Sequence, residues 1–151
     1  VDRGISIAPR ARGDFGRWQP LWHGYLEFYG ATLGAGIDEL TFERLAGGHP
    51  QMGGALAADG AGRALGLVHW IAHPSTWTRG EQVYLQDLYV VPDARGGGLA
   101  SRLIECVRDV ARVRGGEGVY WLTHESNATA RRLYDRVARR TGFIEYAHAL
   151  D

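Results

Sequence analysis

Leu-Tyr-Val-Val-Pro-Asp-Ala-Arg-Gly-Gly-Gly-Leu-Ala, residues 88–100, passes from a strand-like run to a helix-like one across three consecutive glycines. Upstream, Gln82 to Val91 carries apolar residues on both faces and ends at Pro92, which predicts a central strand. Downstream, Leu99, Leu103, Val107 and Val110 recur at helical spacing until Gly115-Gly116 closes the pattern. The first N–H groups of a helix lack intrahelical partners, and the helix dipole makes that end positive. Glycine removes the side chains that would keep an anion away from those groups. Gly96-Gly97-Gly98 is therefore either a solvated loop or a phosphate site. No Gly-Lys-Ser/Thr ending marks a P-loop, and the cluster sits too late, with the wrong spacing, for a dinucleotide fingerprint. A pyrophosphate carried by another cofactor remains.

Working outward, the chain reads as βααβββαβαβ. Ile5 to Ala8 is a short strand. Trp18, Trp22, Tyr25 and Tyr29 lie on one helix face, with Pro20 predicting a kink or a fresh start near Trp18. Ile37 to Leu45 is a second helix, with Asp38 or Thr41 as its cap. Gly53–Ala58 and Ala64–His73 flank Asp59-Gly60-Ala61-Gly62, a hairpin signal. Val119 to Leu122 is a strand, and Ser126 can cap a helix carrying Ala130, Leu133, Tyr134 and Val137. Phe143 to Ala149 reads as a last strand, with room for a short one at Val137 to Thr141. The order predicts one α/β domain over residues 1–151: a mixed, mostly antiparallel sheet of six to seven strands flanked by four helices.

The composition suits such a domain. The chain has 151 residues, 45% apolar. Its 17 basic residues, all arginine, balance 17 acidic ones, which argues against a nucleic-acid partner. Cys106 is the sole cysteine, so no disulfide framework or Cys/His zinc pattern exists, and no metal is expected. No apolar run reaches membrane-spanning length and no signal-like start is present, so no membrane partner and a cytoplasmic location are expected.

Residues 88–100 resemble the acyl-CoA-binding motif of the GNAT superfamily of N-acetyltransferases, in which Arg/Gln-x-x-Gly-x-Gly/Ala follows a strand ending in Val-x-Pro. Arg95, Gly98 and Ala100 fall on those positions. A second stretch tests this independently: Asn127, Ala130, Leu133 and Tyr134 match Asn-x-x-Ala-x-x-Leu-Tyr without a gap. The family's Gly-Phe that often follows comes late here, at Gly142-Phe143, which puts the last strands in doubt. The resemblance implies the GNAT fold, with acetyl-CoA as cosubstrate. It places CoA against Leu88, Tyr89, Val90, Val91, Arg95, Gly96, Gly97, Gly98, Leu99, Ala100, Asn127 and Ala130. It also implies Tyr134 as general acid toward the leaving sulfur. On the residues alone, Asn127 reads as a helix-cap helper and Tyr134 as core. Tyr120 to Asn127 and His73-Pro-Ser-Thr-Trp77 look most like the histone/polyamine acetyltransferase subgroup. That implies a basic amine acceptor and a homodimer, with the C-terminal strand shared between subunits.

The implied reaction is direct attack of an amine on the acetyl thioester. The amine must lose a proton, which costs roughly 4–5 kcal/mol from a pKa of about 10.4 at neutral pH. The developing oxyanion needs a fixed donor, for which the backbone from Tyr89 to Val91 is the candidate. Asp87, a charge inside an apolar strand, is the candidate base or amine anchor, or else an arginine partner. Glu81, His124 and Glu125 are alternatives near strand ends. His69 and His73 show no ligand spacing. Among Trp22, Tyr25, Tyr29, Trp70 and Trp77, the candidates for an acceptor slot are Tyr25, Tyr29 and Trp77, with His124 and Glu125 beside them. A non-catalytic acyl-CoA-binding module on the same fold is the competing expectation. A bulky residue at Gly98 is expected to weaken CoA binding while sparing the fold.

Overall fold

The computed structural model describes residues 4–151. In chain order the elements are β1 (Ser6–Pro9), α1 (Phe15–Phe28), α2 (Ile37–Ala46), β2 (Met52–Ala58), β3 (Ala64–His73), β4 (Gln82–Val90), α3 (Leu99–Val113), β5 (Gly118–Tyr120) and α4 (Ala128–Val137). Single 3-10 turns occupy Arg12–Asp14 and Pro92–Ala94. The strands form one sheet in the order β1-β2-β3-β4-β5. The first three pairings are antiparallel and β4–β5 is parallel, so the sheet is mixed.

Helices cover both faces. On one, Leu103, Ile104 and Val107 of α3 bury against Val83, Leu85 and Val90. On the other, Trp18, Leu21, Trp22, Phe42 and Leu45 of α1 and α2 bury against Leu56 and Leu67. Each large apolar side chain so buried contributes about 1.5–3 kcal/mol. The β2–β3 hairpin turns on Asp59, whose Oδ1 accepts from the N–H groups of Ala61 and Arg63.

Four expectations are corrected. Five strands form among the described residues, not six to seven. Val137–Thr141 and Phe143–Ala149 carry no strand, and Phe143, Ile144, Tyr146 and Leu150 stand exposed. A strand needs a neighbour to bond its backbone, and among the described residues no strand pairs with that tail. α1 runs through Pro20 as one element with no fresh start at Trp18, anchored on both sides of the proline by buried Trp18, Leu21 and Trp22. α2 starts from Gly36 at φ 79°, not from Asp38 or Thr41; Asp38 and Glu39 lie in its first turn, where the dipole favours acids. The cap of α4 is Asn127, not Ser126.

The sheet has two irregularities that shape the site. First, the β3–β4 register jumps: His69 pairs with Asp87 but Trp70 pairs with Leu85, leaving Gln86 as an extra residue. This bulge reverses the alternation of side chains. Val83 and Leu85 before it face α3, as do Leu88 and Val90 after it. Asp87 and Tyr89 are thereby turned toward α1. Second, β4 pairs with β5 only over Gln82–Tyr84. Beyond that point β5 stops bonding to β4, and the sheet opens.

Candidate active site

The opening exposes one edge of β4. Val91 N–H donates to Leu65 O on β3 at 2.9 Å. By antiparallel alternation, the backbone polar groups of Tyr89 also face β3, while those of Leu88 and Val90 face the opening. Val90 O takes a 2.9 Å bond from Arg95 Nε on that side. The Leu88 and Val90 N–H groups are thus the donors turned to the gap. Of the expected Tyr89–Val91 backbone, Val90 has this orientation.

The glycine turn borders the same opening. Gly96 and Gly98 both have φ of 82°, and Gly98 is the N-cap of α3. A Cβ added at Gly96, Gly97 or Gly98 meets nothing within 4 Å, so the space before the helix end is open. Positive dipole, free amides and absent side chains fit a pyrophosphate there. Arg95 does not reach over the glycines; it folds back onto Val90 O, its guanidinium 5.7 Å from the Tyr89 ring centroid. Leu99 puts its side chain into the core and Ala100 packs beside it, so their backbone alone faces the turn. Tyr89 is seated against α1 at Gly24, where a Cβ would lie 2.6 Å from its hydroxyl.

On the α1 side, Asp87 is buried and bonded. Its Oδ2 lies 2.9 Å from His69 Nδ1. The Tyr25 hydroxyl is held in its protonated form by burial first, then by the charge and hydrogen bond of Asp87. Tyr25 lies between Trp22, stacked at 5.4 Å, and Tyr29 at 5.0 Å. Burial, then the charge of Asp87, raises the Tyr29 pKa, and Tyr29 in turn raises that of Tyr134. The Tyr134 hydroxyl is pushed up to about 12, mainly by burial. Its ring meets Trp121 edge-on at 5.5 Å. A phenol so placed keeps its proton at neutral pH and can hydrogen-bond a thiolate forming beside it; full transfer to that weaker base runs uphill and is completed only as the phenol is reprotonated.

The other candidates have partners of their own or stand exposed. Trp77 is 84% exposed in the β3–β4 connection. His124 Nδ1 bonds Ser126 Oγ at 2.7 Å within its loop. Glu125 is exposed and 3.9 Å from Arg140. Glu81 pairs with Arg114 at 2.9 Å, at the start of β4 and away from Asp87. Asn127 Oδ1 accepts from Ala130 N–H at 3.3 Å, so it caps α4. A cavity between the end of α1 and the start of α2 is lined by His23, Glu27, Asp38 and Glu39; neither Asp87 nor Tyr134 is in its wall. Among the described residues no acidic, His or Cys cluster can hold a metal, and no helix is long and apolar enough to cross a membrane.

His69 is the residue sequence reasoning passed over. The signal was present: near the middle of Ala64–His73 stands an imidazole, His69, and near the middle of Gln82–Val91 the run's one carboxylate, Asp87. Buried on antiparallel neighbours, the two can satisfy each other in a register that sets them side by side.

A mixed sheet that opens between two parallel strands, with a glycine turn on one side and paired acid and phenol groups on the other, defines an acyl-transfer scaffold. The chain belongs to the Acetyltransferase (GNAT) family, whose model matches residues 18–138. It is 36% identical over 130 residues to the D-amino-acid N-acetyltransferase HPA3 of Saccharomyces cerevisiae, covering 85% of this chain and 81% of that protein. A shorter match, 46% over 50 residues, links it to the thialysine N-epsilon-acetyltransferase of Sus scrofa, covering 33% of this chain and 28% of that one. In fold it is similar to the aminoglycoside enzyme AAC(6')-Iy in complex with the bisubstrate analog CoA-S-monomethyl-acetylneamine (TM-score 0.84, 14% identity, 97% and 99% of the two chains covered).

Proposed function

We propose that the chain transfers an acetyl group from acetyl-CoA to a primary amine by direct attack in a ternary complex. The observation that carries this reading is the opening of the sheet beside β4 next to an open glycine turn, with a buried carboxylate, Asp87, and a protonated phenol, Tyr134, both within electrostatic reach of Tyr29. Asp87 binds the acceptor as an ammonium, and the ammonium proton leaves toward this carboxylate and water. The neutral nitrogen then attacks the acetyl carbon while the Val90 N–H, or that of Leu88, holds the carbonyl oxygen as it gains charge. The carbon–sulfur bond breaks, Tyr134 gives its proton to the sulfur, and the second amine proton returns to Tyr134 through solvent. Gly96–Gly98 and the amides of Leu99 and Ala100 take the pyrophosphate, with the Asn127 amide near the pantetheine.

The acceptor class is a small cationic amine: a polyamine, a lysine side chain, or an amino acid as in the yeast relative. Tyr25 and Tyr29 supply aromatic faces for the cation. A screen of D- and L-amino acids, lysine analogues and polyamines, read by release of free CoA thiol, tests it. Acetyl-CoA binding with no consumption by any amine supports the non-catalytic module instead.

The working form is proposed to be a homodimer. The exposed apolar residues Phe143, Ile144, Tyr146 and Leu150 follow Gly142 at φ 88° in a segment with no strand partner among the described residues. A second copy offering its β5 edge would supply one.

A further inference from the structure

We infer that His69, fixed by Trp18, is a positioning residue for the transfer: it holds the Asp87 carboxylate toward the acceptor amine and never itself carries the amine proton. This rests on the acetyltransferase reading. The geometry is specific about the imidazole. Trp18 Nε1 has only a hydrogen to offer, and it donates to His69 Nε2 at 2.9 Å. Nε2 is therefore the unprotonated nitrogen, and the single ring proton sits on Nδ1, which donates to Asp87 Oδ2 at 2.9 Å. A second proton on the ring would set two donors, Trp18 Nε1–H and His69 Nε2–H, against each other inside the core. Both residues are buried, Trp18 fully and His69 at 3% exposure, so water cannot relieve that clash.

The surroundings reinforce the assignment. The imidazole lies against the rings of Trp22 at 5.2 Å and Trp18 at 6.0 Å. Behind it, Arg10 is buried with its Nη2 on Ala55 O, while its Nε and Nη1 meet no acceptor among the described residues. Gly54 separates the two: a Cβ there would stand 3.1 Å from His69 Cδ2 and 3.6 Å from Arg10 Nε. A cation behind the ring opposes a second positive charge on it. The groups facing His69 are thus Trp18, Asp87 and Arg10: the Trp18 N–H and the Arg10 cation oppose a second ring proton, and with burial they outweigh the Asp87 carboxylate, which favours one. From α1, the Tyr25 hydroxyl faces Asp87, whose charge and hydrogen-bonding capacity help keep it protonated. The carboxylate thus lies between β3 and α1, and its charge reaches Tyr29.

The test uses two variants and one spectrum. His69→Asn places an amide N–H where Nδ1–H stood; His69→Leu removes the donor. With the amine found in the screen, His69→Leu is expected to lower kcat/KM for the amine about tenfold or more, the loss of one buried bond to a charged group. KM for acetyl-CoA should stay unchanged, and His69→Asn should restore most of the activity. In wild type, nitrogen-15 spectra of His69 should show the Nδ1–H neutral form across pH 5.5–8.5. Equal losses in both variants, a rise in KM for acetyl-CoA alone, or a His69 that protonates in that range overturns the proposal while leaving the acetyltransferase reading in place. Wild type that consumes acetyl-CoA with no amine overturns both.

Discussion

His69 and Asp87 face each other across the β3–β4 bulge, Nδ1 to Oδ2 at 2.9 Å, an imidazole and a carboxylate buried in the middle of two neighbouring strands. The extra residue, Gln86, aims the carboxylate at α1 and not at the α3 core. Without it Asp87 would share a face with Val83 and Leu85. The chemistry assigned to the site depends on this one-residue irregularity.

A pH dependence of stability follows. Burial pushes the His69 pKa below its ordinary 6.5, more than the hydrogen bond and charge of Asp87 raise it, and Arg10 lowers it further. The unfolded chain then binds a proton at this position below about pH 6.5 that the native chain refuses, so stability falls as pH falls, by up to about 1.4 kcal/mol per pH unit. The contribution is complete above the unfolded pKa and is lost as pH drops toward the folded one. Urea unfolding at about pH 7 and pH 5 should show a smaller acid loss in His69→Asn than in wild type, since the other five histidines are common to both.

The glycine turn separates two effects that the sequence alone merged. Gly98→Val adds a side chain at φ 82°, a strain of roughly 1–2 kcal/mol. It therefore costs stability as well as CoA binding, contrary to the expectation that the fold is spared. Gly97 carries no positive φ and has open space at its Cβ position. Gly97→Val should weaken CoA binding at least tenfold with a melting temperature within about 2 °C of wild type. Calorimetric titration with CoA, paired with thermal melts, checks both.

Much of the fold was legible. The Asp59–Gly62 turn, the 3.6-residue spacing of Leu99, Leu103 and Val107, and the Val91-Pro92 stop each encode local structure strongly. The tail misled, because Phe143 to Ala149 has the composition of a strand and strand formation needs a partner that composition does not report. The site was half legible. Asp87 stood out by type and position, and Tyr134 only through the resemblance of Asn127–Tyr134 to the family motif; the bulge at Gln86 and the Trp18–His69 bond are tertiary facts, set by which strands pair and by where α1 lands.

The tail makes its own prediction. Nothing in residues 142–151 is buried. Deleting them should leave the thermal midpoint of a monomer within about 2 °C and convert a dimer to a monomer in sedimentation. Loss of fold in the truncated chain, or an unchanged dimer, rejects strand sharing.

Tyr134, with its pKa pushed up to about 12 by burial and by Tyr29, stays protonated through the neutral and mildly alkaline range. An activity fall on the alkaline side below about pH 9 should therefore persist in Tyr134→Phe, since another group causes it. The profile of the variant should be lower but of the same shape up to that pH.

The most direct test is the rate of free CoA release from acetyl-CoA with the best amine of the screen, compared between wild type and Tyr134→Phe. The expected result is amine-dependent release in wild type, reduced about a hundredfold or more in kcat by the loss of one hydroxyl, with acetyl-CoA binding preserved. Equal rates in the two proteins, or a loss confined to acetyl-CoA binding, would contradict Tyr134 as the proton donor.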